Sequence, residues 1–170
     1  IVRELPINRL PENTAGDIKL KAGAVKMLRY VAMAQNLSKE KLATFSGFSV
    51  NGGTFGQYLS QLRNAGLVVG TNEISITQEG QEIAGDVDVM PTDPQSLLNL
   101  WTPRFKAGIQ KMLKVIFEAY PNSISKEDLG NETGFSHTGG TFGQYLSKLK
   151  KNNLVVIEGN EIKLSGEFYQ

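Results

Sequence analysis

Gly52-Gly53-Thr54-Phe55-Gly56-Gln57-Tyr58-Leu59-Ser60 recurs letter for letter as Gly139-Gly140-Thr141-Phe142-Gly143-Gln144-Tyr145-Leu146-Ser147. A repeat of this kind is read before anything else, because it dictates the architecture. The match spreads outward more loosely. Upstream, Lys21-Ala22-Gly23 and Met27-Leu28 answer Lys106-Ala107-Gly108 and Met112-Leu113. Ser38-Lys39-Glu40 and Leu42 then answer Ser125-Lys126-Glu127 and Leu129, and Gly47-Phe48-Ser49 answers Gly134-Phe135-Ser136. Downstream, Leu67-Val68-Val69 answers Leu154-Val155-Val156, and Asn72-Glu73-Ile74 answers Asn160-Glu161-Ile162. The chain therefore divides into an N-terminal extension (1–16), a first module (17–85), a linker (86–100) and a second module (101–170).

Each module carries the same succession of signals. Val25, Leu28, Val31 and Ala32 fall at helical spacing and predict a first helix near Leu20 to Gln35. Ser38-Lys39-Glu40-Lys41 offers a capping serine with an early acid, so a second helix starts there and ends before Gly47. The third runs from about Gly52 to Asn64 and stops at Ala65-Gly66. Its Phe55, Tyr58, Leu59 and Leu62 are spaced i, i+3, i+4, i+7, so they share a buried face. Leu67-Val68-Val69, a Gly-Thr-Asn turn and Glu73-Ile74-Ser75-Ile76 read as a β-hairpin. In the second module the corresponding helices span Pro103 to Ala119, Ser125 to about Glu132 and Gly139 to Lys151, with a hairpin from Leu154 to Leu164. Thr77 to Ala84 adds a short helix behind the first hairpin, and Asp93-Pro94 supplies cap and first position for a short helix in the linker.

The fold class is thus mainly α with small β-hairpins, and three helices followed by a two-stranded ribbon is the order of a winged helix. The run Ser46-Gly47-Phe48-Ser49 or Thr133-Gly134-Phe135-Ser136, two variable positions, then the repeated Gly-Gly-Thr-Phe-Gly-Gln-Tyr-Leu-Ser and Leu-Val-Val resembles the winged helix-turn-helix modules of bacterial, archaeal and phage proteins, including regions appended to ATPases and regulators. The resemblance covers nearly the whole chain, twice. It implies two tandem winged helix-turn-helix domains with a role in DNA binding, as in transcription regulation. The third helix, Gly52 to Asn64 in the first module, would be the recognition helix.

If that helix enters a major groove, its outward face carries Thr54, Gln57, Gln61 and Asn64, with Asn51, Gly52 and Gly53 at its start. Gln and Asn can bond an adenine edge bidentately, and Thr suits a phosphate or a thymine methyl. The second module presents Thr141, Gln144, Lys148 and Lys151, preceded by His137, Thr138, Gly139 and Gly140, and is more basic. The glycine pairs leave backbone amides open at the positive end of a helix, where a phosphate could be held. The same Gly-Gly-Thr also serves as the turn and cap of the third helix. Yet Gln57/Gln144 and Ser60/Ser147 are identical on a face that packing alone would not fix, while the first helices differ widely. His137, the single histidine, reads as a turn residue and not a metal ligand. Trp101, Phe105, Phe117 and Tyr120 read as packing residues.

Composition bounds the partners. The 170 residues hold 18 Lys+Arg against 17 Asp+Glu, are 40% hydrophobic and contain no Cys, which removes disulfides, thiolate nucleophiles and Cys-based metal sites. No apolar run is long enough to cross a bilayer, and Ile1 to Pro11 lacks the order of a secretion signal, so a cytoplasmic protein without membrane contact is expected. Ile1 in place of Met suggests a piece of a longer chain. No phosphate loop with its lysine, no His-Glu-x-x-His and no serine elbow is present, so neither enzyme activity nor a cofactor is expected. From Asp17 to Met90 seven basic residues face seven acidic ones; from Leu100 to Gln170 nine face seven. That balance, with a sequence pI of about 8.1, supports double-stranded DNA as partner only through local clusters such as Lys106, Lys111, Lys114, Lys148, Lys150 and Lys151. Acids at the hairpin tips, Glu73, Glu158 and Glu161, argue for the alternative, a protein-interaction or homo-oligomerisation module or a domain of a parent protein.

Overall fold

The computed structural model describes residues 18–169, so the expected N-terminal extension lies outside the described residues. The chain divides between Val89 and Met90 into two compact units. The first contains α1 (Ala22–Ala34), β1 (Asn36–Ser38), α2 (Lys39–Ser46), α3 (Gly53–Asn64), β2 (Val68–Val69), β3 (Glu73–Ile76) and α4 (Gln78–Ala84). The second contains α5 (Pro94–Trp101) with a 3-10 turn at Thr102–Arg104, then α6 (Ala107–Ala119), β4 (Ile124–Ser125), α7 (Lys126–Thr133), α8 (Gly140–Lys151), β5 (Val155–Glu158), β6 (Glu161–Leu164) and a 3-10 turn at Gly166–Tyr169. Helices dominate, and each unit adds one small antiparallel sheet of three strands.

The core of each unit grows from one stripe of its first helix. Ala24, Met27, Leu28 and Val31 in α1, and Ile109, Met112, Leu113 and Ile116 in α6, follow the i, i+3, i+4, i+7 spacing and are buried. Val25, expected on the inner face, is 40% exposed, because it lies about 100° around the helix from Ala24. The Ser38 hydroxyl accepts the Lys41 N–H at 3.2 Å and opens α2, as the Ser125 hydroxyl accepts the Asp128 N–H at 3.0 Å in α7. Left-handed Gly47 and Gly134 close the two helices. Phe55, Leu59 and Leu62 of α3, like Phe142, Leu146 and Leu149 of α8, are buried. Helix α3 ends at Gly66 (φ +72°); α8 ends with Asn153 in the same conformation (φ +57°), a substitution asparagine tolerates.

Gly23 and Gly108 have a packing reason. A Cβ on either would run into the ring of Tyr58 or Tyr145. Each tyrosine then meets a phenylalanine edge-on, Phe48 at 5.5 Å and Phe135 at 5.6 Å. These contacts fix the third helix against the first and leave its other side outward.

The expected two-stranded ribbons are corrected to three-stranded sheets, ordered β1-β3-β2 and β4-β6-β5. Leu37 pairs with Ile74, and Ile124 with Ile162, in strands too short to show a period. The Lys39 N–H donates to Asn72 C=O at 2.7 Å and the Lys126 N–H to Asn160 C=O at 3.0 Å, so the same bond ties the second helix to the hairpin in both units. The helix expected from Pro103 begins instead at Ala107. Pro103 sits in the 3-10 turn, and Phe105 is extended and buried, its ring stacked on Trp101 at 5.8 Å. Helix α5 opens as expected, with the Asp93 carboxylate accepting the Ser96 N–H at 2.8 Å. The Ser96 side chain, together with that N–H bond, holds the carboxyl below the usual carboxylate range. The helix belongs to the second unit, where it meets the terminal 3-10 turn.

Candidate nucleic-acid interface

Because Phe55, Leu59 and Leu62 take the inner face of α3, Thr54, Gln57, Ser60 and Asn64 are turned outward and exposed, as is Asn51 ahead of the helix. Thr141, Gln144, Ser147 and Lys151 are exposed on α8, with His137 and Thr138 exposed before it and Lys148 half-buried. Gly52 and Gly139 are half-buried N-caps, each with its N–H donated to the serine carbonyl three residues back, Ser49 or Ser136, at 2.9 Å. Gly53 and Gly140 are exposed first-turn residues with open space where a side chain would stand. The Gly-Gly-Thr stretch therefore does form a turn and cap, and it also leaves the start of each helix uncovered.

Gly56 and Gly143 are the residues that sequence reasoning passed over. Both sit within a helix, both are exposed, and a Cβ on either would meet nothing within 4 Å. Glycine inside a helix costs about 1 kcal/mol relative to alanine, and no contact in either unit requires it. The cost recurs at the same position of both copies. With Ser60 and Ser147 one turn further on, these glycines form the low floor of an outward strip edged by Gln57 or Gln144. The signal that could have found them was the break in helix propensity inside the repeated motif.

The two strips differ at their C-terminal ends. On α8, Gly140, Gly143, Gln144, Ser147, Lys148 and Lys151 line an open depression of about 550 Å³. On α3, Gly56, Gln57, Ser60, Gln61 and Asn64 line one of about 870 Å³, together with Ile18, Lys19 and Leu20. Gln61, expected to face outward free, is half-buried, and its Nε2 donates to the Lys19 carbonyl at 2.8 Å. Arg63 is likewise engaged: its guanidinium donates to the Gly70 and Thr71 carbonyls at 2.9 and 3.2 Å, bracing the hairpin tip.

The lysines expected to form one basic surface do not all converge. Lys148 and Lys151 share the α8 depression, whereas Lys114 lines a different one with Gln95, Asn99 and Glu118. His137 stands 3.8 Å from Glu127, an ion pair when the imidazole is protonated. Among the described residues no group of three His, Cys, Asp or Glu could hold a metal ion. The hairpin acids are exposed, and Glu158 lies opposite Glu161 in the ladder, with the Ser123 hydroxyl donating to Glu161 at 2.6 Å. Among the described residues no helix is long and apolar enough to cross a membrane.

No family model, no curated protein and no solved structure matches the chain.

Proposed function

We propose that the chain is a DNA-binding protein, or the DNA-binding region of a larger one, built from two tandem winged helices and without catalytic activity or a cofactor. In this reading α2–α3 and α7–α8 are the helix-turn-helix pairs, the hairpins are the wings, and α3 and α8 are the recognition helices. The observation that carries it is the outward strip with an unpacked mid-helix glycine, present on both third helices. A helix about 10–12 Å across fits a major groove about 12 Å wide. A glycine floor lets the helix backbone come nearer to a sugar-phosphate strand or a base edge than any side chain would permit. Gln57 and Gln144 stand beside that floor with the chemistry to read adenine, and Lys148 and Lys151 can neutralise phosphate.

Fluorescence anisotropy with labelled duplex DNA over a salt series tests the reading. Binding that weakens linearly in log affinity against log salt is expected; no binding at low salt, or a slope near zero, contradicts it. A second reading, a protein-docking or oligomerisation module, has one specific observation in its favour: the α3 strip already holds a stretch of polypeptide, residues 18–20. Light scattering over a concentration series separates the two, since self-association without DNA binding supports the second.

A further inference from the structure

Two helices of nearly identical sequence sit in different surroundings, and four residues account for the difference. In the first unit the chain ahead of α1 turns onto the α3 strip, where the Lys19 carbonyl accepts from Gln61 Nε2 at 2.8 Å. In the second unit Lys148 occupies the position of Gln61, a point charge on a long stem that can donate but not accept. The segment ahead of α6 is held elsewhere. Gln110 Nε2 donates to the Phe105 carbonyl at 2.7 Å, and the Phe105 ring is buried against Trp101. The first unit has exposed Val25 at the place of Gln110, with no amide to hold Leu20 in that fashion. Only α8 residues line the second depression.

Charge follows the same division. The last turn of α8 carries Lys148, Lys150 and Lys151, whereas the last turn of α3 carries only Arg63, already spent on two hairpin carbonyls. Lysines at a helix C-terminus also favour the helix dipole, but that effect needs one or two charges near the end and does not require the strip to stand open.

Resting on the DNA reading above, we infer that the two units are not equivalent. The α8 strip is the surface that takes the duplex phosphates first, while the α3 strip, its Gln57, Ser60 and Asn64 exposed, is flanked in cis by residues 18–20, which engage its Gln61 through the Lys19 carbonyl. The first unit is then a base reader with one residue of its strip, Gln61, already engaged in cis, and the second an electrostatic anchor.

The test uses the full chain and a labelled mixed-sequence duplex in a salt series. Lys148→Gln/Lys151→Gln is expected to flatten the slope of log affinity against log salt by about two and to weaken binding about tenfold at low salt. Lys21→Gln/Lys26→Gln removes equal charge from exposed positions of the first unit and is expected to leave the slope within error of wild type. Equal losses in the two double variants overturn the asymmetry while leaving the DNA reading intact; a wild-type chain that does not bind overturns both. The strap has a readout without DNA. Gln61→Ala is expected to accelerate tryptic cleavage after Lys19 severalfold, and an unchanged rate overturns the engagement of Gln61 in cis.

Discussion

Gly56 and Gly143 are the residues at which stability and the proposed function pull apart. Each is an exposed helical position with free space around it, so alanine there removes an entropic cost and adds no clash. Gly56→Ala and Gly143→Ala are expected to raise stability by about 0.5–1 kcal/mol each, read from the denaturant midpoint, while weakening duplex binding. A variant that is more stable and binds as well as wild type contradicts the role given to the glycine floor. The neighbouring positions divide in the opposite sense. Gln57→Ala or Gln144→Ala is expected to cost about 1–3 kcal/mol in binding to a preferred sequence, with folding intact. Phe55→Ala or Phe142→Ala, at fully buried sites, is expected to cost about 3–5 kcal/mol of stability, enough to unfold a unit. Thermal melts beside anisotropy distinguish the two classes. Most of the outward residues were legible from spacing, because Phe55, Leu59 and Leu62 define the inner face and everything opposite must face out. Gln61 was not, since its partner is a backbone carbonyl some forty positions earlier that no local pattern encodes.

The helices owe their ends to short-range chemistry, and those ends were readable: Ser38 and Ser125 as caps, Gly47 and Gly134 as stops, Asp93-Pro94 as the opening of α5. The strands β1 and β4 were not, because three or fewer residues cannot display an alternation, and their pairing with β3 and β6 is a tertiary matter. The start of α6 was misplaced for a related reason. Pro103 is a good first helical residue, but burial of Phe105 against Trp101 outweighs local propensity and forces an extended residue before Ala107. Within the hairpin of the second unit, Glu158 faces Glu161 directly, a repulsive cross-strand pair, and both acids sit where a wing would meet phosphate. Glu158→Lys is expected to relieve that repulsion and to tighten duplex binding severalfold at low salt. Unchanged affinity would mean that the hairpin stands clear of the DNA.

At the scale of the molecule the two units differ less in fold than in charge, the first neutral over residues 17–90 and the second carrying an excess of two positive charges over 100–170. Linking a weakly binding unit to a more basic one raises the local concentration seen by the weaker partner, to about millimolar for a short flexible tether. On the proposed reading, a neutral first unit can therefore contribute to specificity without binding well alone. The repeat made the architecture legible at this scale, whereas the roles proposed for the two strips rest on Val25 against Gln110 and Gln61 against Lys148, differences whose meaning emerges only from the contacts they make. The most direct test of the claim that the third helices lie on DNA is titration of the isotope-labelled chain with duplex, followed by amide and side-chain chemical shifts. The expected result is perturbation centred on the Gln57 and Gln144 side-chain amides and on the backbone of Gly56 and Gly143. Shifts confined to other faces, or no shifts at all, would contradict it.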